Sequence, residues 1–349
     1  MLGLAASPIQ TWMCRLAGHS VKCLRSGSGP GAGYAHRPMR VLVVTNFTPD
    51  AATPQRGRWV HDQVDEIRRR GVEVEVFEFP RGRGEYIPAT RRLRALLRRE
   101  QFDLVHAHYG LAGWCAKLAG ARPLVVTFHG TDVRHHIVGP LSRRLAWRID
   151  LVAAVSRALF GPEHDRPGLP PVPGSAVLPC GPDLSRFRPI PRQEARAELG
   201  LDPDGRYLLF PADPRRPEKR ADRAAELAEA SGAQLLTGGS IEPEQMPLWI
   251  NAANATIVPS DYEGFGMICV EALACEAPVL STPVGIAPFA LRGIAGTLCE
   301  PFDALRWSAA VAPHLAAADP RIEGSARAAS LSAARMAERT IAAYRGVID

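Results

Sequence analysis

The sequence has no run approaching the roughly 18 unbroken apolar residues of a membrane-spanning helix. It has no CxxC pair, and its seven cysteines (14, 23, 115, 180, 269, 275 and 299) are odd in number and scattered. That pattern argues against a disulfide framework or a zinc site and fits a reducing, cytoplasmic setting. The first 38 residues lack the compact apolar segment and small-residue cleavage site of a secretory signal. They also lack acidic residues and hydrophobic periodicity, and their Gly- and Ser-rich GSGPGAGYAHRP stretch predicts a disordered extension. Met39 opens MRVLVVTNF, a form typical of a first strand, and is a second candidate start.

What is present is enough for about two domains of ordinary size. The 349 residues are 46 % hydrophobic and 22 % charged, so a sizeable core can form. The net charge of +6 is unevenly spread: +4 over residues 1–38, +7 over 39–180 and −5 over 181–349. Such asymmetry points to different partners for the two halves.

From residue 39, short apolar runs alternate with helical stretches. RVLVVT (40–45), VEVEVFEF (72–79), DLVHAH (103–108), PLVVTFHG (123–130), LVAAVS (151–156) and SAVLPCG (175–181) read as strands. GRWVHDQVDEIRRRG (57–71) has apolar residues at helical spacing and a terminal glycine, and TRRLRALLRRE (90–100) is also helical. A proline-rich stretch, 186–206, reads as a helix-poor linker. The alternation restarts at YLLFPA (207–212) and continues through AQLLTGG, ATIVPS, APVLST and AGTLCE, with helices between and an Ala- and Arg-rich helical end. Strands alternating with helices predict an α/β fold built on parallel sheets. Two such runs predict two doubly wound, Rossmann-like domains: an N-terminal one over 39–185, a linker over 186–206, and a C-terminal one over 207–325. A last helix over 326–349 is expected to pack back toward the first domain. Ligands of such folds bind outside the carboxyl ends of the strands, here in the cleft between domains.

The segment DYEGFGMICVEALACEAPVLST (261–282) concentrates the chemistry. Glu263 falls between a strand end and a helix start, and Gly264 and Gly266 let the backbone approach a ligand closely. The free amides of Phe265, Gly266 and Met267 would favour an anion there. Glu271 lies about one turn into the helix. Glu263 is then placed to accept from sugar hydroxyls, the amides from a phosphate, and Glu271 from ribose hydroxyls. The plainer alternative makes Glu263 a favourable partner of the helix dipole.

In register, EGFGMICVEALACEAPVLSTPVG resembles the retaining family-4 (group 1) glycosyltransferases of GT-B fold, whose hallmark is two glutamates separated by seven residues. The resemblance covers roughly 39–349. It implies that FPADPRRPEKR (210–220) grips the diphosphate of a nucleotide-sugar donor, through Lys219 and either Arg215 or Arg216, with Arg216 preferred. It also implies that Gly57 of GRWVHDQV lies over the donor phosphates, and that His129 of TFHGTDV lies near the anomeric centre and the acceptor. His129 and Glu263 are the implied catalytic residues. His106 and His108 of VHAHYGLAG are expected to line the acceptor side of the cleft, with Asp132, for which a helix-capping role competes. No cofactor, no metal and no nucleic acid is implied. Asp202-Pro203-Asp204 spells a D-x-D signature of metal-dependent transferases but reads as a linker turn. Cys180 and Phe289 depart from the family pattern, as does the short stretch LLTGGSIEPEQMPLWINAANATIVPS, which leaves the nucleotide base open.

TRRLRALLRRE sets Leu93, Leu96 and Leu97 among Arg91, Arg92, Arg94, Arg98 and Arg99. That composition suits weak contact with an anionic membrane surface, against the alternative of an ordinary solvated face. The expected activity is retaining, metal-independent sugar transfer from a nucleotide-diphosphate donor to a hydroxyl of a glycan, lipid-linked or small-molecule acceptor. A GT-B-fold epimerase or phosphorylase, and a non-catalytic sugar-nucleotide-binding protein, are the rivals.

Overall fold

The run RVLVVT forms β1 (Arg40–Thr45), in which every residue after Arg40 is buried. Burial on both faces is what a central parallel strand requires. β1 pairs in parallel with β2 (Glu73–Glu78) on one side and β3 (Leu104–His108) on the other. Val41 and Val43 face one hydrophobic layer, Leu42 and Val44 the other. A computed structural model describes residues 37–48, 57–162 and 167–349. The expected disorder of the N-terminal extension lies outside the described residues, apart from Arg37 and Pro38. Residues 39–349 form one body.

The first sheet has the order β2-β1-β3-β4-β5-β6, where β4 is Leu124–Phe128, β5 Leu151–Ala154 and β6 Ala176–Val177. All its pairings are parallel. One face carries α1 (Arg58–Arg68), whose Val60, Val64 and Ile67 are buried at helical spacing. Each such side chain contributes roughly 1.5–3 kcal/mol by burial. The other face carries α2 (Tyr86–Arg99), α3 (Gly110–Ala119) and α5 (Val138–Ala146), with the short α4 (Thr131–Arg134) before α5.

The second sheet has the order β11-β10-β9-β7-β8, also parallel. Its strands are β7 (Tyr207–Phe210), β8 (Gln234–Thr237), β9 (Ala255–Val258), β10 (Val279–Ser281) and β11 (Leu298–Cys299). On one face α7 (Ala221–Ser231) and α11 (Ala304–Ala316) bury Leu227, Trp307 and Val311. On the other lie α8 (Met246–Ala252), α9 (Met267–Ala274) and α10 (Ala287–Ala290).

Two sequence expectations are corrected. The stretch 186–206 is not a helix-poor linker: it holds α6 (Arg192–Leu199), anchored in the second domain. Arg196 there is 2 % exposed and donates to Ala252 O (3.0 Å) and Asn254 Oδ1 (3.0 Å). The polar look of RQEARAEL masked this buried arginine. The chain end is likewise two helices, α12 (Ser325–Ser330) and α13 (Ala333–Ile348). α12 stays with α9, while α13 crosses to the first domain and packs on α1, burying Ala337, Ile341 and Tyr344. Gln63 Nε2 donates to Thr340 Oγ1 across that contact (3.3 Å). Ser332 starts α13 by accepting from Arg335 N (3.3 Å), as an N-cap does.

Candidate active site

The carboxyl ends of β4 and β9 meet between the domains. After β9 the chain turns through Glu263-Gly264-Phe265-Gly266 into α9. A Cβ on Gly264 would overlap the His129 carbonyl oxygen, so only glycine permits this approach of the two backbones. Ser156 Oγ, from the first domain, donates to Gly264 O (2.9 Å). Gly266 has φ of 85°, a left-handed conformation that starts α9 at little cost for glycine. The amides of Phe265, Gly266 and Met267 donate to no partner among the described residues, which suits them to an anion.

Lys219 ends a short 3₁₀ turn (Pro217–Lys219) after β7. Its Nζ lies 2.6 Å from both Glu263 Oε1 and Oε2, and Ser260 Oγ donates to Oε1 (2.9 Å). Both partners of this ion pair are only 12 % exposed, so the pair is sheltered from most solvent screening. Lys219 is one of three lysines in the chain. Its ammonium is a point charge on a flexible stem and can turn from a carboxylate to a phosphate. Arg215 and Arg216 pair with acids of their own loop: Arg215 Nη2 lies 2.9 Å from Asp213 Oδ2, and Arg216 Nη2 lies 2.6 Å from Glu218 Oε1. Glu271, one turn into α9, is pushed up to about 7 by burial, against the opposing charge of Arg186.

On the first-domain side, His129 is partly accessible and packs against Phe47 and Trp59. Its Nε2 is 3.0 Å from His108 Nδ1. Burial lowers the His129 ring to about 3, so it is a neutral hydrogen-bonding group at physiological pH. Three expectations for this side are corrected. His106 (0 % exposed) and His108 (1 % exposed) lie in the core under the site and do not line the cleft. Asp132 is also fully buried and accepts from Gly130 N (2.9 Å), His129 N (3.0 Å) and Gly110 N (3.0 Å), tying the β3 and β4 turns together. Burial raises its carboxyl to about 6, with those amides pulling the other way. Strand ends in sequence locate a residue near a cleft but not which way it turns. Gly57 has φ of 73° at the start of α1, and a Cβ there would overlap the Phe47 carbonyl. Its glycine is thus required by a backbone contact within the first domain.

The sequence did not disclose a first-domain cavity whose wall includes Phe47, the ring that packs on His129. It has a volume of about 310 Å³ and is lined by Asn46, Arg81, Arg83, Tyr86, Tyr109 and Thr131, among others. Asn46 Nδ2 donates to the Tyr86 hydroxyl (3.0 Å), and its buried Oδ1 has no partner among the described residues. Tyr109 has φ of 87° and ψ of 138°, a strained region for any residue but glycine. The RGRG stretch (81–84), which follows β2 at the carboxyl edge of the sheet, was the available signal for Arg81 and Arg83. Asp202 and Asp204 form an exposed turn in which Asp204 N donates to Asp202 Oδ1 (3.0 Å). Among the described residues no His/Cys/Asp/Glu cluster is placed to hold a metal ion, and no helix is long and apolar enough to cross a membrane.

Comparison with known proteins follows the same outline. The profile described as Glycosyltransferase Family 4 matches residues 31–186, and that described as Glycosyl transferases group 1 matches residues 215–321. A D-inositol 3-phosphate glycosyltransferase of Segniliparus rotundus is 30 % identical over 98 % of this chain and 91 % of its own length. The protein of that description from Thermobispora bispora is 28 % identical over 76 % of each chain. Among solved structures, sucrose-phosphate synthase from Thermosynechococcus elongatus superposes with a TM-score of 0.66 at 19 % identity, covering 88 % of this chain and 99 % of that one. Anabaena HepE, in complex with UDP and glucose, gives a TM-score of 0.66 at 17 % identity, covering 88 % and 100 %. The two sheets, the glutamate-bearing turn between them and these matches along the chain agree: this protein belongs to glycosyltransferase family 4 (group 1) and is a glycosyltransferase of GT-B fold.

Proposed function

We propose that this enzyme transfers a sugar, with retention, from a nucleotide-diphosphate donor to a hydroxyl of a phosphorylated polyol related to inositol phosphate. The observation that carries the donor half is the Lys219–Glu263 pair beside three unpaired amides. In the donor complex the diphosphate takes Lys219 and the amides of Phe265, Gly266 and Met267. The freed Glu263 accepts from sugar hydroxyls, and Glu271 accepts from ribose. Charge developing on the leaving diphosphate is thereby stabilised by groups already in place. The acceptor hydroxyl attacks on the face from which the diphosphate departs, and that diphosphate takes the proton. His129, held neutral, serves as a hydrogen-bonding group at the meeting of sugar and acceptor.

The acceptor half rests on the cavity that Phe47 helps to line. Arg81 and Arg83 supply positive charge there, and Tyr109 and Thr131 supply polar groups for a polyol. The relatives described as D-inositol 3-phosphate glycosyltransferases support a phosphorylated acceptor. The basic helix face of the first domain makes weak contact with anionic lipid surfaces. The test is a transfer assay pairing UDP-, GDP- and ADP-sugars with inositol and inositol 3-phosphate. Transfer is expected with one donor and with preference for the phosphorylated acceptor. Lys219→Ala should lose about 10²-fold or more in kcat/KM while remaining folded by circular dichroism. Undiminished transfer by that variant would refute the assignment of the donor site.

A further inference from the structure

On the α1/α13 side of the first sheet, Val41, Val43, Leu104, Val125 and Leu151 make an apolar layer. A column of polar side chains runs through it: Tyr344 from α13, His106 and His108 from β3, Thr127 from β4, and His129 just beyond. The first four are 0–2 % exposed. Buried polar groups are costly unless paired, and most of these are. The Tyr344 hydroxyl is 2.7 Å from His106 Nδ1, and His106 Nε2 is 2.7 Å from Thr127 Oγ1. The His106 ring lies 4.3 Å, centroid to centroid, from the His108 ring, and His108 Nδ1 is bonded to His129 Nε2. His108 Nε2 is buried and has no partner among the described residues. An orphaned N–H is rarer and costlier than an orphaned lone pair. The His108 proton therefore belongs on Nδ1, donated to His129 Nε2, and His129 carries its own proton on Nδ1.

We propose that Tyr344 is a positioning residue for His129. By occupying His106 Nδ1 it keeps that ring from turning toward His108, and so preserves the His108-to-His129 hydrogen bond and the Nδ1–H tautomer of His129. The helix Ala333–Ile348, which follows the second domain in sequence, thus completes the histidine arrangement of the first. Its effect on turnover rests on the role of His129 given above; its effect on the rings does not.

The test is Tyr344→Phe, which keeps the ring and removes the hydroxyl. The ring ¹⁵N resonances of His108 and His129 should move, and kcat should fall about fivefold or more with donor KM nearly unchanged. Thr127→Val, which removes the other partner of His106, should move the same resonances and covers the case in which Tyr344→Phe does not fold. In a His129→Ala background, Tyr344→Phe should cost no further kcat, because residues acting through one another are not additive. Unchanged His108 and His129 resonances in both single variants would overturn the proposal, as would full additivity in the double variant. The resonance measurement needs no turnover, so it decides the matter even if no sugar transfer is found.

Discussion

Glu271 sits where burial lifts its carboxyl from 4.5 to about 7, so near neutral pH it is shared between charged and protonated forms. Only the charged form accepts two strong hydrogen bonds from ribose. A raised acid pKa means that folding favours the neutral form. Its burial therefore costs little below about pH 4.5; the cost grows as pH rises from there toward 7 and levels off above it. Donor binding carries the opposite sign, because it selects the ionised carboxylate. Donor affinity measured by calorimetry should strengthen about tenfold from pH 6 to pH 8. In Glu271→Gln that dependence should vanish, with affinity at pH 8 roughly tenfold weaker. A wild-type affinity flat across that range would show that Glu271 does not bind the donor. Glu263, Glu271 and Lys219 stood out as candidates in the sequence because their spacing and neighbours form a specific pattern. Tyr109 and Asn46 did not, since a strained backbone angle and an orphaned carbonyl oxygen leave no mark on composition or period. The alternation H-A-H on β3 correctly announces that His106 and His108 share one face. It does not say that the face is closed by a tyrosine 238 residues away in sequence.

At the scale of elements, strands and their alternation with helices were readable, because buried parallel strands are continuous apolar runs and helices keep their spacing. What was lost was α6. Its sequence, RQEARAEL, looks polar, yet Arg192 and Arg196 are 3 % and 2 % exposed. Their heads are taken by carbonyls of other elements, a tertiary fact with no local signature. Arg196 stacks over the Tyr207 ring (5.0 Å), donates to Ala252 O and Asn254 Oδ1, and also bonds Pro203 O. Asn254 Oδ1 in turn accepts from Tyr207 N (2.9 Å), at the first residue of β7. Arg196→Met keeps the stem and strips these carbonyls of their donor. It should destabilise the protein by roughly 2–4 kcal/mol, read from urea unfolding at unchanged slope. A loss below about 0.5 kcal/mol, the range of ordinary surface changes, would return α6 to the status of a linker.

At the scale of the whole molecule, charge and apolar exposure fall on the same face. Residues 39–180 carry +7 and 181–349 carry −5. α2, α3 and α5 lie side by side on one side of the first sheet. From that layer Arg91, Arg92, Arg94, Arg98, Arg99, Arg144 and Arg148 are exposed. Beside them stand Ile87 (65 % exposed), Leu118 (58 %) and Trp147 (65 %). An ordinary solvated face needs no large apolar side chains, whereas a lipid interface takes arginine heads at its phosphates and Trp and Leu side chains just below. Each cation near an anionic surface contributes about 1 kcal/mol, within a Debye length of about 10 Å at 0.1 M salt. Sedimentation with vesicles containing about a third anionic phospholipid should therefore capture the protein at low salt and release it at high salt. Arg91→Ala, Arg94→Ala and Arg98→Ala together should weaken partitioning about a hundredfold. Trp147→Ala should weaken it without changing the salt dependence, since it removes apolar contact and no charge. Absence of capture at low salt, or capture equal on neutral vesicles, would assign these arginines to solvation alone.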